Sequence, residues 1–217
     1  MRAPLAAAVG VVGIAALVCP APAHAGDDAS TSSLLWAGAA MALPAYLLGV
    51  TLHEGSHAAA AAAFGAEILE LRLFPSVRNG HFYFGYTRWR GPLTDGEKAW
   101  ALLMPKVTNV MLFGGYTALV LTDTLPEDDY GRLAISVLGT AQWVDFARSA
   151  VSFSDADDLV RVHRLYGRTT EWQRLPFRLV HVALAAAGGV VLYLGWKGVF
   201  EEPATPAAMA PIVMGTF

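Results

Sequence analysis

Two histidines and a glutamate stand together in the stretch His53-Glu54-Gly55-Ser56-His57. Positions four apart share one face of a helix, so both imidazoles can reach a single metal ion. Glu54 is offset around that helix, where its carboxylate can touch a water beside the metal. Two neutral imidazoles that hold Zn²⁺, with a carboxylate that takes a proton from water, make a hydrolytic arrangement. The residues that follow, 58–63, are wholly apolar, so these ionisable groups are embedded rather than set at a clean boundary. Ionisable side chains at membrane depth are functional candidates.

The rest of the chain must position this group, and its composition says in what solvent. Of 217 residues, 55% are hydrophobic and only 15% charged, and mean hydropathy is +0.44. A soluble domain has about 25% charged residues, so the composition points to a membrane protein. A net charge of −3 gives no footprint for nucleic acid. A single cysteine, Cys19, excludes a disulfide scaffold.

Apolar runs at 34–52, 99–122, 133–153 and 179–196 each approach the roughly 20 residues needed to cross a bilayer. The second is interrupted by Pro105 and Lys106, and the third contains Asp145 and Arg148. Between the first two, residues 68–74 and 81–86 alternate around Asn79-Gly80, a strong turn signal. These patterns predict an all-α polytopic membrane protein of about four transmembrane helices, with a short β-hairpin in the first cytoplasmic loop.

At the N-terminus, Arg2, an apolar run and Ala23-His24-Ala25 read as a signal peptide over residues 1–25, with a retained anchor as the alternative. Residues 26–200 then form the membrane core and 201–217 a tail. Arginines crowd the segments 67–98 and 157–178, whereas 123–132 is mostly acidic. The basic loops are therefore expected in the cytoplasm, with the mature N-terminus and the C-terminus outside an inner membrane.

With those elements in place, the sequence resembles a known family. His53-Glu54-Gly55-Ser56-His57-Ala58, followed by Ala61 and Gly65, is similar to the active-site helix of the site-2 proteases, which are intramembrane zinc metalloproteases. Met104-Pro105-Lys106-Val107-Thr108-Asn109 resembles that family's Gly-Pro-x-x-Asn element, with Met104 in the glycine's place. Ser154-Asp155-Ala156 falls where the family has Leu-Asp-Gly, whose aspartate is the third zinc ligand.

The resemblance implies one Zn²⁺ per chain, held by His53, His57 and Asp155, with Glu54 as general base. It also implies that Asn109 lines the site, contacting substrate backbone or the oxyanion. A catalytic zinc needs three protein ligands and an open position, and Asp145, Asp157, Asp158, His163 and His181 are further candidates. Asp145 is the alternative ligand, although Arg148 could simply be its partner. Asp155 could instead serve the first turn of a helix, together with Asp157 and Asp158. Lys106 is expected to snorkel to the surface or to pair with Asp145.

The implied function is endopeptidase cleavage of membrane-protein substrates in or near their spans, within the lipid bilayer. The hairpin would present the substrate as an added strand. A catalytically inactive relative that acts as a binding or assembly partner is the alternative.

Overall fold

The computed structural model describes residues 29–78 and 80–200. The expected signal peptide or anchor at 1–25 and the tail at 201–217 lie outside the described residues. The elements run α1 Thr31–Ala63, β1 Glu67–Arg72, β2 Ser76–Arg78, β3 His81–Tyr83, β4 Tyr86–Arg90, α2 Asp95–Leu121, α3 Asp129–Val151, α4 Asp158–Leu165 and α5 Glu171–Phe200.

Local chemistry sets the helix ends. Ser30 caps α1 by accepting from the Ser33 amide, and Gly65, with φ of 84°, ends it. There the Ala66 amide reaches back to the Ala61 carbonyl at 3.0 Å, a reversal that needs a residue free to enter the left-handed region. Thr94 and Glu97 close a reciprocal capping box at the start of α2. Asp128 and Asp157 cap α3 and α4.

The four-span, all-α expectation is corrected in two respects. Among the described residues, only α1 and α5 are long and apolar enough to cross a membrane. Helices α2 and α3 keep the length, at 27 and 23 residues, but not the apolarity. They carry Lys106, Asn109, Gln142 and Ser149, all of which are buried. Polar groups turned inward lower a helix's hydropathy without exposing it to water. The β region is also larger than one hairpin: β1 pairs antiparallel with β4, while β2 pairs with β3 in a separate two-stranded sheet. Arg78 lies opposite His81 in that second sheet, so the chain reverses at the end of the inner ribbon and not of the outer one; of the expected turn, Asn79 lies outside the described residues and Gly80 has φ of 76°.

Helix α1 packs against α2, α3 and the β1–β4 ribbon, and α3 packs along α5. Leu34, Leu133 and Val199 form the core at one end. At the other end, Ala61, Ala66, Leu93 and Ala101 bring α1, the ribbon and α2 together. Beside them, Ala99 and Leu102 of α2 receive Val162 and Leu165 of α4. Small residues allow close helix contact, as membrane interfaces favour: a Cβ at Gly139 of α3 would lie 2.7 Å from the Tyr116 ring of α2.

Candidate metal centre

His53 and His57 sit one turn apart on α1, with ring centroids 5.0 Å apart. Across from them stands Asp158, the first residue of α4. Its Oδ2 lies 3.3 Å from His53 Nε2 and 3.1 Å from His57 Nε2. Ligand atoms from the three residues all fall within 4.8 Å of one another. Zinc binds His and Asp at about 2.0–2.1 Å in a tetrahedron, whose edges are then roughly 3.3 Å. The two nitrogen–oxygen separations match that edge.

The outer ring nitrogens are committed elsewhere, which fixes the tautomers. His53 Nδ1 lies 3.0 Å from Asp145 Oδ2, and His57 Nδ1 lies 2.7 Å from the Ala101 carbonyl. Both partners are acceptors, so each Nδ1 carries the proton that it donates. Each Nε2 then offers a lone pair toward Asp158. Metal-ligating histidines use their second nitrogen in this way, on a carboxylate or a backbone carbonyl.

The Ala101 carbonyl is available because of Pro105. In a helix that carbonyl would accept from the residue four positions on, and proline has no N–H. His57 takes up the vacated acceptor, so Pro105, inside α2, prepares a seat for one ligand. This gives the Met104-Pro105 element a physical role.

Asp145 is the hub of the supporting layer and does not face the gap between the two Nε2 atoms. Its carboxylate accepts from His53, from Lys106 Nζ at 2.8 Å and from Asn109 Nδ2. Lys106, 6% exposed, also donates to the Asp145 carbonyl. Of the two expectations for Lys106, pairing with Asp145 is the one observed. Asn109 is buried but spends its amide on Asp145. Arg148 is not the partner of Asp145; its guanidinium lies over the Phe84 ring instead.

Asp155 is not brought to the histidines. Its side chain is 72% exposed and pairs with Arg164 at 2.9 Å. The residue that meets the rings is three positions later, at the start of α4, after Asp157 has taken the cap by accepting from the Leu159 and Val160 amides. A signal for Asp158 was present in the sequence. It shares the helical i, i+4, i+7 face with Val162 and Leu165, and that face packs on α2.

Glu54 is 7% exposed and is held by the ribbon. Thr87 Oγ1 of β4 lies 2.8 Å from Glu54 Oε2 and 2.9 Å from the Glu54 carbonyl, its one proton shared between them. The preceding turn presses on the same place. A Cβ at Gly85 would come within 2.6 Å of Val50 Cγ1 and 3.0 Å of Glu54 Cγ. Ser56 Oγ meets Thr108 Oγ1 at 2.8 Å and ties α1 to α2 beside the centre.

No protein-family model matches the chain, and neither does any curated protein or solved structure. Function therefore has to be argued from the site.

Proposed function

We propose that the chain is a zinc-dependent endopeptidase that works at or within a membrane, with His53, His57 and Asp158 as the metal ligands and Glu54 as general base. One observation carries this reading. Two imidazoles with their Nδ1 protons already committed aim both Nε2 lone pairs at one carboxylate oxygen. Lone pair against carboxylate is repulsive unless a cation lies between them or each ring takes a second proton. The separations suit the edge of a zinc tetrahedron and equally an N–H···O hydrogen bond, so it is the donor set, two imidazoles and a carboxylate, that favours a metal cation. His and carboxylate ligands at these separations suit Zn²⁺.

A zinc ion there would supply Lewis acidity, which acidifies water and polarises a peptide carbonyl. The chain's own residues do the rest. Glu54, steadied by Thr87, accepts the proton of the attacking water and passes it to the departing amine. Asp145 and the Ala101 carbonyl keep the rings in the required tautomers. The β1–β4 ribbon borders Glu54, and in a two-stranded sheet each strand keeps an outer edge. Strand addition there would hold a substrate extended, with its carbonyls freed from helical hydrogen bonds. Helices α1 and α5 would seat the protein in the bilayer, with the arginine-bearing stretches 67–98 and 157–178 toward the cytoplasmic side.

The test compares membranes from cells that express the wild type or Glu54→Gln. New N-termini inside membrane-protein segments should appear with the wild type and disappear with the variant, while zinc content stays equal. The same fragments in both would reject the enzyme and leave a zinc-holding binding partner.

A further inference from the structure

A second concentration of chemistry lies behind α4, away from the two histidines. A cavity of about 320 Å³ opens between α2, α4 and α5, bounded by Leu103, Ser149, His163, Arg168, Arg178 and His181 among others. Four of the side chains that line it carry a buried polar atom without a hydrogen-bond partner: Ser149 Oγ, His163 Nδ1, Arg178 Nη2 and His181 Nε2. Buried polar groups are nearly always satisfied, and leaving a guanidinium N–H bare is more costly than leaving a neutral group bare. Four such atoms around one space call for a polar occupant.

Charge indicates its sign. Arg168, Arg174 and Arg178 face this region against two carboxylates, and both of those are engaged. Glu171 accepts from Arg174 and Arg178, and Asp157 caps α4. Arg168 lies over the Phe177 ring at 4.4 Å. The positive excess also acts on His163, whose pKa is pushed below its ordinary value by burial and by Arg168, Arg174 and Arg178. An oxyanion would satisfy the guanidinium, the hydroxyl and an imidazole N–H together.

A second, separate space lies beside the cavity, across Ser149-Ala150 of α3. Arg178 Nη1 donates to the Ala150 carbonyl at 3.2 Å. Ala150 also borders a groove of about 460 Å³ between α3 and α5, lined by Trp143, Ala147, Val182, Ala185 and Ala186, with Arg148 as its one charged residue. Trp143 Nε1 donates to the Ala185 carbonyl at 2.7 Å and holds one wall. The outer face of α5 beside the groove is apolar and exposed at Leu179 and Val182. A cationic chamber with a largely apolar groove beside it, at the basic end of a helix able to cross a membrane, matches a phosphate headgroup with an attached acyl chain. Basic pockets between helices on the cytoplasmic side take anionic lipids in this way.

We propose that this chamber and groove bind one anionic phospholipid, with its phosphate between Ser149, Arg168 and Arg178 and one chain along α3 and α5. Nothing in the inference depends on protease activity, since no ligand of the metal centre lines either space.

The test uses the full chain, purified in a zwitterionic detergent, and titrates dioctanoyl phosphatidylglycerol, dioctanoyl phosphatidylcholine, glycerol phosphate and inorganic phosphate. Thermal midpoint and native mass spectrometry give the readout. Phosphatidylglycerol should bind saturably, and the choline lipid should not compete. Arg168→Gln removes one charged contact and should weaken phosphatidylglycerol roughly tenfold. Ala186→Trp fills the groove without touching a polar group; it should weaken the lipid as much yet leave glycerol phosphate unchanged. Both variants should keep wild-type zinc content, which shows that they fold. Inorganic phosphate that binds as tightly as the lipid would assign the chamber to a free oxyanion and overturn the lipid proposal. Equal binding of the two lipids, or phosphatidylglycerol binding unaltered in both variants, would overturn it altogether.

Discussion

Replacing Asp158 by asparagine, beside the same change at Asp155, separates the geometry from the family spacing. The Asp158 oxygen stands 3.1 and 3.3 Å from the two Nε2 atoms, whereas Asp155 is 72% exposed on Arg164. Four-ligand zinc sites bind with about 10–16 kcal/mol, or roughly 2.5–4 kcal/mol per ligand. At about 1.4 kcal/mol per decade, loss of one ligand weakens zinc by about 10²–10³-fold. The exposed Asp155–Arg164 pair contributes at most about 1 kcal/mol to stability and nothing to the metal. Competition against a chromophoric chelator, with metal analysis after dialysis, reads both constants. The amide keeps the volume of the carboxylate, so helicity by circular dichroism should be unchanged in either variant. Zinc retained by Asp158→Asn and lost by Asp155→Asn would refute the ligand set.

Three further outcomes follow from the layer around the site. Pro105→Ala restores an N–H that competes for the Ala101 carbonyl, so zinc affinity should fall roughly tenfold or more while thermal stability stays level or rises; lower stability with unchanged zinc affinity would contradict the seat assigned to His57. Gly85→Ala places a methyl 2.9 Å from the Arg72 carbonyl, which should cost about 1–3 kcal/mol in denaturant unfolding and reduce fragment yield by displacing the turn that packs on Glu54. Acidification should destabilise the lipid-free protein through His163. Its folded pKa lies below the ordinary 6.5, so the unfolded chain takes the proton first. Stability present above that value is therefore lost as pH falls through the folded pKa. His163→Gln should flatten that part of the pH profile of the melting temperature.

Much of this was legible in the sequence, because short-range chemistry dictates it. The i, i+4 histidines fixed one helical face, Asn79-Gly80 marked a turn, and the apolar runs marked the long helices. Two expectations depend on what lies across space. The family resemblance points to Asp155, but the cap at Asp157 starts α4 one residue before Asp158 and turns that carboxylate toward the histidines. Helices α2 and α3 looked like spans because their polar residues are few. Lys106, Asn109 and Asp145 satisfy one another; the Lys106–Asp145 pair could be read from the chain, whereas the place of Asn109 in it shows only with the helices side by side. The strand pairing of β1 with β4 is likewise non-local, and alternation alone reads the same for either partner.

Zinc K-edge absorption on the purified chain reads the ligand set itself. One zinc per chain is expected, with two imidazole nitrogens and carboxylate and water oxygen at about 2.0–2.1 Å, and with the carboxylate contribution lost in Asp158→Asn. A chain that purifies without zinc, or a shell with a single imidazole, would contradict that ligand set.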